Sequence, residues 1–381
     1  MIYLDYNATT PVAPEVFDAM KPFLGASFGN PSSAHEVGRE ARKAVDRARE
    51  AVASLIGAQR HDEIVFTSCG SESDNWAIRG TLRLQPEKRH IVTTRVEHEA
   101  VRNLCESLET AGYEVTWIEV DRDGNLDIDA LRSSLRRDTA VVSVMLANNE
   151  TGVLFPVSEI AEIVKNNSNA AFHVDAVNAV GKIPISVKDT RIDLLSLSGH
   201  KFHAPKGIGA LYIREGVRLP PFLIGGGQEA GRRAGTEAVH QIAGLGRAAQ
   251  LVSDPAPIER VRQLRDKLEN EILNGISNSR VNGTREPAKR LPNTSNISFP
   301  NTNGEMLLAK LNDVGICVST GSACNSESRV SSPVLRAMDV PYTDAMGSIR
   351  FSLGRYNTED EINKVLEVLP GVVVQVRSIA A

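Results

Sequence analysis

A chain of 381 residues is long for one hydrophobic core and short for three, so two domains are expected. Its 41% apolar and 24% charged residues are ordinary globular usage, which excludes disordered, fibrous and low-complexity classes. A formal net charge of −4 provides no general basic field, so neither direct nucleic-acid binding nor attachment to a membrane is expected.

In chain order, the opening MIYLDYNATT reaches Asp5 almost at once and has no basic flank ahead of an apolar core. Apolar runs also stay well short of the ~18 residues that span a bilayer, so a cytoplasmic protein is expected. Val37, Ala41, Ala44, Val45, Ala48, Val52, Leu55 and Ile56 recur at helical spacing and stop at Gly57, which predicts a core-facing helix with a glycine cap. Seven runs rich in β-branched and apolar residues follow: Glu63 to Ser68, His90 to Val96, Glu114 to Val120, Ala140 to Leu146, Ala170 to Val177, Asp193 to Ser198 and Ile208 to Arg214. Helical patterns fall between several of them. This alternation predicts an α/β fold with a mostly parallel sheet covered by helices on both faces. Asp254-Pro255-Ala256-Pro257 breaks the pattern and marks a domain boundary. Beyond it come a charged helix from near Ile258, a loop from Thr284 to Pro292, a strand from Asn296 to Phe299, a Ser-rich stretch from Ser319 to Ser332, and a closing helix over Glu359 to Leu369.

Cys69, Cys105, Cys317 and Cys324 are too few and too irregular for a disulfide scaffold and lack the paired CxxC of a zinc site. Four reduced thiols are expected.

Sheets of this type bind ligands at the carboxyl ends of their strands. One such end delivers Asp175 and another Ser198-Gly199-His200-Lys201. Alone, an Asp there is more often a helix cap and a Lys a solvated charge. Together they supply what pyridoxal phosphate (PLP) needs, a lysine for the Schiff base and a carboxylate to keep the pyridine nitrogen protonated. After the first run, Gly70 permits close approach, and Ser71 with Asp74 has capping-box spacing ahead of a helix whose N-terminus can hold a phosphate. No GxGxxG or GxxxxGK[ST] motif accompanies this turn, which makes a nucleotide the poorer expectation. His98 follows the second run and, in a PLP pocket, can stack on the ring and move protons near neutral pH. His200 and His203 form an H-x-x-H pair without acidic or thiol partners at suitable spacing, so no metal site is expected.

Seven motifs then occur in one order: Leu4-Asp5-Tyr6-Asn7-Ala8-Thr9-Thr10, Phe28-Gly29-Asn30-Pro31-Ser32-Ser33, Ala147-Asn148-Asn149-Glu150-Thr151-Gly152, Ser198-Gly199-His200-Lys201, Arg233-Ala234-Gly235-Thr236-Glu237, Gly321-Ser322-Ala323-Cys324 and Arg350-Phe351-Ser352-Leu353-Gly354-Arg355. Along essentially its whole length the sequence resembles the NifS/IscS cysteine desulfurases. The resemblance implies the PLP-dependent transferase fold of type I, aspartate-aminotransferase-like, with a large PLP-binding domain over residues 15–255 and a small α+β domain from residues 1–14 and 256–381. It also implies a homodimer with active sites at the subunit interface. Lys201 would carry PLP, Asp175 would pair with the pyridine nitrogen, and His98 would lie over the ring. Asn149 and Asn178 would hydrogen-bond near the ring hydroxyl. Gly70, Ser71, Ser198 and His200 would cup the phosphate, with Thr236 reaching in from the partner subunit. Arg355, helped by Asn149, would clamp the substrate carboxylate, and Cys324 would be the nucleophile.

Three departures from the family pattern stand out. Asn178 occupies a position commonly Gln, Ala230 one commonly Arg, and Asn325 to Ser332 replaces a usual Leu-Glu-Pro-Ser run. The expected chemistry converts L-cysteine to L-alanine. The freed Lys201 amine would take the Cα proton, and the Cys324 thiolate would attack the substrate sulfur to form a persulfide. A sulfur acceptor or iron–sulfur scaffold protein would then receive that sulfur. The competing readings are a selenocysteine lyase or another reaction on the same fold, and a non-catalytic scaffold that binds a sulfur carrier. The Gly-Ser-Ala-Cys loop argues against an aminotransferase, and intact Lys201, Asp175 and Cys324 argue against the scaffold.

Overall fold

The seven apolar runs become the seven strands of one sheet in the computed structural model, which describes residues 1–320 and 331–380. They are β1 (Ile64–Thr67), β2 (His90–Thr94), β3 (Glu114–Ile118), β4 (Thr139–Met145), β5 (Ala171–Asp175), β6 (Leu194–Ser198) and β7 (Gly209–Ile213). Their order is β1-β7-β6-β5-β4-β2-β3, parallel throughout except where β7 pairs with β1 and β6. Two antiparallel steps cancel, so β1 points with the parallel strands. The carboxyl ends of all strands but β7 therefore open on one side.

Helices cover the sheet: α1 (Glu36–Leu55), α2 (Gly70–Leu84), α3 (Glu99–Thr110) and α4 (Val239–Val252) among them. α1 buries Ala41, Ala44, Val45, Ala48 and Val52 as its spacing predicts, although Val37, its second residue, is exposed. The predicted glycine cap is present. Gly57 has φ 61° and lies so near Ser186 that a side chain there would collide with its Cα.

α4 ends at Val252 and α5 (Ala256–Gly275) begins within the two-proline break, with Pro255 at its N-cap and Pro257 in its first turn, where a boundary is expected. Beyond it, β8 (Arg280–Val281), β9 (Thr294–Ser298) and β10 (Ser348–Ser352) form an antiparallel sheet in the order β10-β9-β8. A second core lies against it, containing Leu4, Leu268, Ile297, Phe299, Ile349, Phe351 and Val365. Leu4 belongs there because Ile2–Tyr3 pairs in parallel with Ile316–Cys317. Leu291 and residues Val334 to Ala345, by contrast, pack into the core of the large sheet, so the later chain feeds both cores.

The closing helix overruns its prediction. α6 spans Glu359–Ala380, straight through Pro370, where a stop was expected. A proline inside a helix costs about 3 kcal/mol. Val372, Val373 and Val376, one turn further on, are buried in the second core, and burying three such side chains at roughly 1.5 to 3 kcal/mol each outweighs that cost.

A buried ion pair ties the loop after β7 to the sheet. Arg49 of α1 donates from both terminal nitrogens to Glu229, at 2.7 and 2.8 Å, and the same carboxylate accepts the Phe66 N–H at 3.0 Å. Glu229 and Ala230 both sit in the left-handed region, with φ 49° and 57°. That turn is held by the pair rather than by a glycine. Glu229→Ala would leave Arg49 buried and uncompensated, and the expected loss is ~3 to 5 kcal/mol of stability, read as an earlier denaturant midpoint. Glu229→Gln keeps an acceptor but not the charge, so it should lose less, and a loss below about 1 kcal/mol in Glu229→Ala would show that the ion pair is not what holds the turn.

Candidate functional site

The strand ends bring most of the expected residues to one cavity of about 250 Å³, walled by Gly70, Ser71, His98, Asn149, Asp175, Asn178, Ser198, His200 and Lys201. Thr236 is exposed and is not on that wall. Arg355 lines a smaller adjoining crevice that shares Lys201 with the cavity. Cys324 lies outside the described residues.

Lys201 leaves the short turn that follows β6 and donates to the backbone carbonyls of Asn7, at 2.5 Å, and Ala8, at 3.0 Å. The amino-terminal motif is therefore a wall of the site. It is pinned by Thr10, whose N–H and hydroxyl both donate to the His200 carbonyl at 2.9 Å.

Asp175 ends β5 and is 5% exposed, with Oδ1 accepting the Val177 N–H at 2.8 Å. Burial, then the nearby Asp74, push its pKa up. A positive ring nitrogen would reverse that penalty. Asp74 itself is the surprise. The capping box expected of Ser71 and Asp74 does not form, because α2 begins at Gly70, two residues earlier than that box requires. Instead Ser68 N–H donates to Glu72 at 2.7 Å, and Asp74 turns inward, 1% exposed, with Oδ1 lacking a hydrogen-bond partner. Burial pushes its pKa up to about 7. Behind it His173 bridges Ser143 and Ser196 at 2.9 Å each.

His98 caps α3 by accepting the Ala100 N–H on Nδ1 at 3.1 Å, which leaves Nε2 to carry the proton of the neutral ring. Desolvation lowers its pKa, so near neutral pH the ring is uncharged and presents Nε2–H as a donor. His200 turns to Thr9 Oγ1, at 3.2 Å, whereas His203 turns to the Pro11 carbonyl, at 3.1 Å, and lines the adjoining crevice. The H-x-x-H pair thus diverges.

At the other end of the cavity, the first N–H groups of α2 face no intrahelical acceptor. A Cβ on Gly70 would come within 2.6 Å of Val177 Cγ2, so only glycine fits this close approach. Asn178 is buried, with Oδ1 accepting from Lys182 at 2.7 Å and Nδ2 unpartnered. A lysine, a buried acid opposite, a spare amide donor and a helix N-terminus form a donor set that fits PLP.

Two arginines stand at the two ends of the Arg350 to Arg355 motif. Arg355 donates to the Leu251 carbonyl at 3.2 Å, from the adjoining crevice. Arg350 is 3% exposed, donates to Asp5 at 2.6 Å and to the Asn149 carbonyl at 3.0 Å, and has a buried Nε without a partner. Reading by motif passed over Arg350, Asp74 and Lys182. The one sequence signal available for Arg350 was its place at the head of the Arg-Phe-Ser-Leu-Gly-Arg motif.

Residues 2–365 match the class-V aminotransferase family. A protein of Trichormus azollae named cysteine desulfurase is 56% identical over 382 residues, covering 100% of this chain and 94% of that one. A solved structure of a NifS-like protein superposes with a TM-score of 0.91 at 38% identity, covering 98% of this chain and 99% of the other. A second, of SspA in complex with cysteine, gives a TM-score of 0.83 at 36% identity, over 94% of this chain and 100% of that one.

Proposed function

The chain belongs to the class-V aminotransferase family, and from that membership we propose that it is a PLP-dependent cysteine desulfurase of the NifS/IscS kind, which moves the sulfur of L-cysteine to Cys324 and releases L-alanine. The observation that carries the reading is the convergence of Lys201, Asp175 and the Gly70-Ser71 turn on one cavity. When bound, PLP supplies the electron sink that makes the substrate Cα proton removable. The Lys201 amine would hold the cofactor and move that proton, and Asp175 would hold the positive charge of the ring nitrogen. Gly70, Ser71, Ser198 and His200 would hold the phosphate, and His98 would lie over the ring and offer a proton from Nε2. The Cys324 thiolate then bonds to the substrate sulfur as the Cβ–S bond breaks, and Cβ gains a proton to complete alanine. Purified protein supplied with PLP should turn yellow and make alanine from L-cysteine, one for each sulfur removed. Production of pyruvate and ammonia in place of alanine would overturn the reading.

The rest of the proposal concerns assembly. Thr236 stands exposed, outside its own chain's cavity, which suits a residue serving the site of a partner subunit in a homodimer. Persulfide sulfur would pass from Cys324 to an acceptor or an iron–sulfur scaffold protein. Among the described residues no helix is long and apolar enough to cross a membrane.

For the carboxylate clamp, the unpartnered Nε and the contact with Asn149 favour Arg350 over Arg355. Replacing the clamp by alanine should cost ~2 to 4 kcal/mol, or roughly 30- to 1000-fold in kcat/KM. That loss is expected in Arg350→Ala, with less than about fivefold in Arg355→Ala, where only a carbonyl hydrogen bond is lost. The reverse ranking in steady-state kinetics would return the clamp to Arg355.

A further inference from the structure

Asn178 and Lys182 lie four residues apart in the turn that follows β5, and Gly181, at φ 78°, closes that turn where a side chain would strike Phe202. Lys182 is 8% exposed. Its Nζ donates to Asn7 Oδ1 at 2.9 Å and to Asn178 Oδ1 at 2.7 Å. The charged groups that most affect it are cations, Lys201 and Arg350, and these together with burial hold its pKa well below that of an ordinary lysine. No step of the reaction uses this amine. A buried lysine next to two like charges is costly unless its contacts do something else.

The contacts set an amide. Asn7 is oriented independently, because its Nδ2 donates to the Asn149 carbonyl at 3.1 Å and to Thr294 Oγ1 at 2.9 Å, which leaves Oδ1 for Lys182. Asn178 has no second fixed partner, since its Nδ2 is buried and unpaired in a residue that lines the cavity. The reversed amide would set Nδ2 against Nζ and turn a carbonyl oxygen toward the cavity.

We propose that Lys182 is a positioning residue: by donating to Asn178 Oδ1 it turns the Asn178 amide nitrogen into the cavity as a hydrogen-bond donor to the ring oxygen of PLP. The inference rests on the reading that PLP fills this cavity, and it goes further in assigning the second lysine. It also explains how asparagine serves at a position commonly glutamine: a side chain shorter by one methylene is held from behind.

The test is a double-mutant cycle on PLP affinity of the apoprotein, measured by fluorescence titration, with the absorbance maximum of bound PLP as a second readout. Lys182→Met and Asn178→Ala should each weaken binding about tenfold, the worth of one buried hydrogen bond, and shift the absorbance alike. The double variant should bind no more weakly than the worse single one. Losses that multiply to about a hundredfold, or wild-type affinity in Lys182→Met, would overturn the inference while leaving PLP in place. If Lys182→Met does not fold, Lys182→Gln carries the same cycle, and multiplying losses overturn the inference there too. Failure of the wild-type apoprotein to take up PLP would overturn the cofactor reading and this inference with it.

Discussion

Lys201→Ala is expected to make no detectable alanine from L-cysteine and to lose the yellow colour of the lysine-bound cofactor, while keeping its fold. Lys201 leaves the carboxyl end of β6 and reaches across to the Asn7 and Ala8 carbonyls. Its removal deletes both the covalent tether and the base. Proton transfer by a positioned group contributes roughly 10²- to 10⁴-fold by itself, and loss of the tether adds to it. Two carbonyls lose a donor, so a somewhat lower melting temperature is expected and does not count against the assignment. Lys201→Arg separates charge from chemistry. It restores a cation beside the carbonyls yet offers no amine able to give up a proton near neutral pH. Turnover within tenfold of wild type in Lys201→Arg would show that Lys201 acts only as a charge.

Cys324→Ser is expected to bind PLP and L-cysteine as the wild type does and to acquire no sulfur. Treated wild-type protein should gain one sulfur atom at Cys324 by mass spectrometry. The structure narrows the rivals for that role. Cys105 is buried in the core of α3, and burial pushes its thiol up to about 12, which leaves it almost no thiolate at neutral pH. Cys317 is half-buried in the short parallel ladder with Tyr3. Cys69 is the one that matters: it precedes α2 and lines the cofactor cavity. A wild-type adduct found on Cys69 instead of Cys324 would move the nucleophile to the Gly70 end of the cavity.

The sheet was legible because its strands, the edge strand β3 apart, are buried on both faces and read as apolar runs, each found within about two residues of its place. Asp175 and Lys201 were legible for a related reason, since each is a charged residue at the end of such a run. What local pattern could not reveal depends on distant partners. Asp74 read as a cap because capping is a local matter, whereas its burial depends on β5 and β6. Nothing nearby in sequence says that Asn7 will meet Lys182. Pro370 read as a stop, because the core that carries α6 past it is built from segments a hundred residues upstream.

The hydrogen bonds of Asn7 also bear on how the molecule comes into being. They reach Asn149, Lys182, Thr294 and Ser352, at sequence separations of 142, 175, 287 and 345 residues. Contacts of such length are made late, because the entropy of closing long loops must be met before they return anything. During synthesis at roughly 5 to 20 residues per second, the large sheet has all its strands well before Thr294 or Ser352 exists. The segment from Asp5 to Thr10 can meet Lys182, His200 and Lys201 once the large sheet has formed, but gains its bonds to Thr294 and Ser352 only when the later chain arrives. A nascent chain stalled before β9 would hold this wall by only part of its hydrogen bonds, so tight capture of PLP should coincide with chain completion rather than with folding of the sheet.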